Sequence, residues 1–354
     1  MNLFASKTLS VGLAALACLL AAPIRAAPIT YDMVTVGNAG NANDSGGTGN
    51  GAVAYDYQIG KYDVTIGQYT AFLNAVAATD TYSLYNSIMG TNLNIAGISQ
   101  TVGSGGYAYS VIGSANRPIT YVSWFDSARF SNWMANGQPT GAQSSTTTEN
   151  GAYNVNGAIS GNAVAKNATN PNTSAAPTFY VPNQNEWYKA AYYSPTLNSG
   201  SGGYYAYATQ SNTAPGNIVG SAANQVNYAL GGVFSVTQSS SYSGSQNYLT
   251  DVGAFSGSGS FYGTFDQSGN VFQWNDLDGA AGSSRGLRGG YWYNDAFFLS
   301  SSGGKSNDPS VVGSDIGFRL AGSAVPEIDP NGLSAVLGLI AGGLGLLERR
   351  RYGR

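Results

Sequence analysis

Three short stretches of this sequence carry the same helix-start signature, and long spans without helical period separate them. In TIGQ, Thr65 and Gln68 stand three residues apart; so do Ser123 and Asp126 in SWFD, and Asn183 and Glu186 in NQNE. A short polar side chain that accepts from the third helical N–H, answered by a longer one reaching back, satisfies two otherwise unpaired backbone donors. After the first box, Tyr69, Phe72, Leu73 and Val76 recur at helical spacing and predict one apolar face. The second helix is expected to run to about Ala135, where Asn136 and Gly137 stop it. The third follows Pro182, buries Trp187, Ala190 and Ala191, and ends before Pro195. Helices this short are marginal alone and need a shared core. Residues 141–175 and 196–260, rich in Gly, Ser, Asn and Thr but interleaved with Tyr, then read as long surface loops of one domain. No fixed-period repeat is evident.

Composition narrows the chemistry by what it omits. Only 9% of the 354 residues are charged, while Gly reaches 49 and Tyr 25, so neutral polar and aromatic groups must cover much of the surface. A net charge of −3 offers no basic footprint for nucleic acid. There is no histidine, and the single cysteine is Cys18. That excludes Ser-His-Asp and Cys-His catalysis, a Cys/His zinc site and histidine-ligated iron. It also excludes structural disulfides, so an exported chain would depend on packing and on any hard cation it binds.

Both ends read as processing segments. Residues 1–26 present Lys7, an apolar run from Leu9 to Ala22 and small residues at Ala26 and Ala27, which predicts a secretory signal cleaved near Ala26. Acylation of Cys18 is the weaker alternative, because the apolar run continues beyond it. In residues 325–354, the VPEIDP stretch at 325–330 precedes a 16-residue apolar run from Gly332 to Leu347, then Glu348 and Arg349, Arg350 and Arg351. One reading is a short membrane helix with a positive-inside stop. The order of short motif, apolar helix and arginine cluster resembles a PEP-CTERM sorting signal. That resemblance implies recognition by an exosortase-type machinery, transient contact with the inner membrane and delivery to the cell surface or extracellular matrix.

Six blocks in the body, 27–324, carry a second resemblance. They are IGKYDVT at 59–65, PITYVSW at 118–124 with Asp126 and Ala128, VPNQNEW at 181–187 with Ala190 and Ala191, FDQSGNVFQW at 265–274, LRGGYW at 287–292 and GFR at 317–319. Their order and wording resemble the formylglycine-generating enzyme (sulfatase-modifying factor) family. The resemblance implies an α+β fold, that family's loop-rich variant of the C-type lectin fold, with little regular secondary structure.

The family's oxidative chemistry does not follow. Formylglycine-generating enzymes bind copper through a cysteine pair between the Arg-Gly-Gly motif and Gly-Phe-Arg, and the interval here, Tyr291 to Ile316, has neither Cys nor Met. The related sulfoxide synthases use histidines. No cofactor is therefore required and no catalytic residue is assigned. Ser302 and Lys305 match a Ser-x-x-Lys spelling, but Gly303 and Gly304 disfavour the helix it needs. Gly304-Lys305-Ser306 lacks the upstream glycine of a phosphate loop, Leu299 standing there. Asp126 and Glu186 read as caps rather than acid/base groups. What the resemblance does imply is a calcium loop, with the Asp266 side chain, the Gly269 and Val271 carbonyls and the Gln273 side chain as ligands. Gln273 replaces an acidic residue there, which weakens such a site. It also implies a ligand surface between the last two motifs: Trp292, Tyr293, Asn294, Asp295, Lys305, Asn307 and Asp308, with Phe297 and Phe298 expected in the core. The expected function is an exported, non-catalytic protein that binds extracellular polysaccharide or protein. The alternatives are a surface enzyme using carboxylates, Tyr or Lys, and a structural matrix component.

Overall fold

A computed structural model describes residues 28–324, so the expected signal segment and the expected sorting tail lie outside the described residues. All three capping boxes form. Helix α1 spans Ile66–Val76 with Thr65 as its N-cap, α2 spans Trp124–Ala135 from Ser123, and α3 spans Gln184–Tyr192 from Asn183. In each the reciprocal bond from the third residue is present. Tyr69, Phe72, Leu73 and Val76 are buried as their spacing predicts. Every residue of α2 is buried, polar ones included, so this helix lies inside the molecule and has no solvent face.

Two small sheets tie distant parts of the chain together. In one, β1 (Met33–Val36) and β2 (Tyr57–Gly60) are antiparallel, and the late strand Ala321–Ser323 pairs with the other edge of β2. The start and end of the described chain thus share one sheet. The other has the order Lys305–Asn307, Arg285–Arg288, Phe272–Asn275 and Ile316–Gly317, the last pair being parallel. A hairpin of Ile98–Gly103 with Gly106–Val111 packs beside α1. Two short ribbons, Tyr193–Ser194 with Gly203–Tyr204 and Ala229–Leu230 with Val233–Phe234, and four-residue helices such as Ala296–Leu299 interrupt the turns and loops of the rest. One hydrophobic core runs from Val36 to Ala321 and takes residues from all three helices and both sheets. Among the described residues no helix is long and apolar enough to cross a membrane.

Candidate functional site

The six sequence blocks meet through their side chains. Trp124 Nε1 donates to Asp276 Oδ1 at 2.6 Å, Trp187 Nε1 to Gln273 Oε1 at 2.7 Å, and Trp274 Nε1 to the Val122 carbonyl at 3.0 Å. Arg319, wholly buried, donates from Nε to Gln273 Oε1 at 2.7 Å and from Nη1 to the Gly60 carbonyl at 2.9 Å. Its Nη2 reaches Asp63 Oδ1 at 3.1 Å and the Phe265 carbonyl at 2.7 Å. Arg288 stacks on Tyr188 at 4.9 Å and donates to the Ser301 and Gly303 carbonyls. Gly289 and Gly290 both have positive φ, and a Cβ on Gly290 would lie 2.7 Å from Leu299, so a side chain is excluded there. These residues form a closed frame.

Burial governs the acids of the frame. The Asp63 carboxyl is pushed up to about 8, first by burial and then by Asp266, with Arg319 opposing. Its Oδ2 has no hydrogen-bond partner, and Arg319 divides its donors among four acceptors, which is why the ion pair does not hold Asp63 low. Burial also raises Asp126, Asp266 and Asp276, each to about 6. Glu186 is fully committed: Oε1 accepts from Tyr55 and Tyr180, and Oε2 from the Asn183 N–H. Asp126 accepts from the Ser123 N–H and hydroxyl. Both acids act as caps.

Beside the frame, the cleft has a different character. Tyr293 is 53% exposed and its ring stacks on Phe234 at 5.4 Å. Tyr242, 57% exposed, stacks on Tyr248 at 5.8 Å and donates to Asn94 Oδ1 at 2.5 Å. The two exposed rings lie 6.5 Å apart. On one side is a pocket of about 300 Å³ bordered by Asn92, Asn94, Trp292 and Ser314. On the other is an open pocket of about 640 Å³ bordered by Phe234, Ser240, Asn294, Asp295 and Phe298. Tyr242, Tyr291 and Tyr293 line both.

The sequence matches the model of the sulfatase-modifying factor enzyme 1-like domain over residues 33–324. The chain belongs to that family. In fold it is similar to Treponema denticola variable protein 1, with a TM-score of 0.50 and 18% identity over 83% of this chain and 95% of that one. CarF aligns at 19% identity and a TM-score of 0.46, over 84% and 99%. PvdO from Pseudomonas aeruginosa aligns at 16% and 0.42, over 82% and 94%. None of the curated proteins compared matches it.

For this sulfatase-modifying factor family chain, the expected site residues separate into three groups. Tyr293 is the exposed platform. Trp292 is the floor instead of the surface, 6% exposed and stacked on Tyr248 at 4.7 Å. Asn294 and Asp295 border the open pocket but are engaged in the local turn: Asn294 Oδ1 accepts from the Tyr291 N–H, and Asp295 caps the short helix Ala296–Leu299 through the Phe297 N–H. Lys305, Asn307 and Asp308 line neither pocket. Lys305 sits 4.2 Å from the Phe272 ring and 3.7 Å from Asp315 Oδ2; Asn307 pairs with Arg285; Asp308 accepts twice from Ser310. Phe297 corrects an expectation: it is 60% exposed, because the short helix turns Leu299 into the core in its place. Phe298 is half-buried. Ser302 and Lys305 lie on a turn and the following strand, so the Ser-x-x-Lys geometry does not form.

Gln273, an expected calcium ligand, is engaged within the frame. Its Oε1 receives N–H groups from Trp187 and Arg319, and its amide donates to the Asp266 carbonyl at 2.7 Å. A cation on that oxygen would face a guanidinium. Of the other expected ligands, the Asp266 carboxylate accepts from the Gly253 N–H at 2.7 Å and the Gly269 carbonyl from the Val271 N–H at 2.9 Å. Sequence reading missed Asn92, Asn94, Phe234, Tyr242 and Tyr248. The available signal was the pair of tyrosines set in the Ser- and Gly-rich stretch 235–250.

Proposed function

We propose that the chain is an exported, non-catalytic member of the sulfatase-modifying factor family that binds an extracellular polysaccharide or protein through the cleft around Tyr293. The carrying observation is the cleft itself: exposed aromatic faces with neutral amides and hydroxyls, and no pair of ionisable groups placed for proton transfer. Asp295, the one acid on its border, is held as a helix cap. The absence of Cys and His from 28–324 leaves the family's copper and iron chemistries without ligands. In this reading the C-type lectin variant of the fold serves as a scaffold for recognition. The N-terminal segment exports the protein, and the tail at 325–354 passes it through the inner membrane to an exosortase-type sorting step and on to the surface or matrix.

The test compares the full chain with one lacking residues 325–354 in the producing cells. The full chain should be found on the cell surface or matrix and the truncated one free in the medium; identical distributions would remove the sorting step. Attachment of the full chain to isolated matrix should fall in Tyr242→Ala and Tyr293→Ala. Unchanged attachment in both would place the binding site elsewhere.

A further inference from the structure

In the smaller pocket the groups left free are three hydroxyls and the Trp292 indole N–H. Among the described residues, no hydrogen bond engages the hydroxyls of Tyr291, Tyr293 or Ser314, whereas the amides of Asn92 and Asn94 are held within the protein. A hydroxyl donates and accepts, so three of them can answer a ligand that is itself rich in hydroxyls, whichever way its O–H bonds turn. The exposed faces of Tyr242 and Tyr293 supply the second half of that chemistry. An aromatic face is electron-rich, and the C–H bonds on one side of a pyranose ring are electron-poor and weakly polar, so the two stack. Charge is missing from the smaller pocket, and the carboxylate bordering the larger one disfavours an anion.

The arrangement also sets a length. Tyr242, Tyr291 and Tyr293 line both pockets, so the two hollows are flanks of one ridge and not separate sites. A single ring fills one flank; a chain crossing the ridge contacts both.

We infer that the ligand is an uncharged oligosaccharide of two or more rings, laid across the Tyr242–Tyr293 ridge with a ring on either side. This rests on the binding reading above and narrows it to one ligand class. An enclosed apolar pocket or a charged pair, which would anchor a peptide side chain, is not part of this cleft.

The experiment uses the purified full-length chain on an array of neutral, uronate-bearing and sulfated oligosaccharides of one to six rings. Neutral chains should bind, single rings at least about tenfold more weakly than pairs, and binding should hold from low to high salt, since no charge is screened. Tyr293→Ala and Tyr242→Ala should each weaken binding about thirtyfold, in the range of an aromatic anchor. Tyr293→Trp keeps the platform and should bind within a few-fold of the parent, which guards against a merely misfolded Ala variant. Binding confined to uronate or sulfate chains, or failing at high salt, overturns the inference, as does an array with no neutral ligand. A parallel assay on isolated matrix keeps the two claims apart. If Tyr293-dependent attachment survives periodate oxidation of the matrix sugars but not proteolysis, the ligand is a protein and only the sugar inference fails. If attachment ignores Tyr242 and Tyr293 altogether, the binding reading fails with it.

Discussion

Arg319 and Tyr293 stand in adjoining regions of the chain and put their polar groups to opposite uses. Arg319 is wholly buried and its three nitrogens donate to four acceptors drawn from two other sequence blocks. Tyr293 exposes half its surface, and among the described residues no group takes its hydroxyl. The frame around Arg319 contains the residues that look like a site in the sequence: tryptophans, buried acids, a Gly-Gly pair. Their bonding capacity is consumed in holding one another. The cleft, built from a Ser- and Gly-rich loop and the segment after Gly290, has capacity left over. In this molecule a memorable motif marks the scaffold, and the unremembered loop carries what could meet a ligand.

The severest test of that contrast is to cut the frame at its hub. Arg319→Met removes one of the two donors to Gln273 Oε1 and those to Asp63 and two carbonyls at once, leaving the buried Asp63 carboxyl without a partner. Breaking such a network costs roughly 3–5 kcal/mol, to be read as a lowered midpoint in urea denaturation. A loss below about 1 kcal/mol, the range of a typical hydrogen bond, would mean that the hub does not hold the blocks together.

Acidity sharpens the same comparison. Asp63 rises from 3.8 to about 8 on folding, and Asp126, Asp266 and Asp276 rise from 3.8 to about 6, in each case chiefly through burial. A carboxyl with a raised folded pKa binds its proton more tightly when folded, so its contribution is fully present below 3.8 and declines as pH climbs to the folded value. The melting temperature should therefore fall from about pH 4 upward, with all four contributing to pH 6 and Asp63 alone between 6 and 8. Asp63→Asn should flatten that last segment. A melting temperature that rises across pH 6 to 8 would contradict the burial assignment.

At the cleft the same assay should register almost nothing. Tyr293→Ala removes a ring that is more than half exposed, and surface changes of this kind usually stay within about 0.5 kcal/mol. A cost above about 2 kcal/mol, the range of buried large-to-small changes, would make Tyr293 part of the frame and erase the division.

The division also explains what could be read in advance. The starts of the three helices were legible to the residue because capping is local: Thr65 and Gln68, Ser123 and Asp126, and Asn183 and Glu186 each satisfy their bonds within four positions. The family frame was legible because its residues are fixed by one another. Phe297 misled because a four-residue helix offers no periodicity, and the chain could turn either Phe297 or Leu299 inward. The meeting of Tyr242 with Asn94 was beyond reach for another reason. They are far apart in the sequence and meet only through the path of two loops, which no local pattern encodes.

Gln273 is where the frame and a metal-binding loop make competing claims on one side chain, and it gives the smallest expected effect. A calcium ion needs several oxygens converging on it at about 2.3–2.6 Å. Here Gln273 Oε1 faces Trp187 and Arg319 donors, and its amide nitrogen already ties down the Asp266 carbonyl. Nor do the described residues hold any group of three or more acidic, Cys or His side chains that could bind a metal. Calcium binding to the native state alone would stabilise it by mass action, by about 2.7 kcal/mol at a hundredfold excess over Kd. Titrating calcium chloride against a matched magnesium chloride control should shift the melting temperature of the native chain no further than the control does. The frame then has a simple account: Gln273 is a hydrogen-bond hub and its neutrality spares Arg319 a competing cation. A calcium-specific rise that Asp266→Ala abolishes would show that the loop opens to the ion after all. Gln273 would then have to leave Arg319 when it did so, and the frame could no longer be called closed.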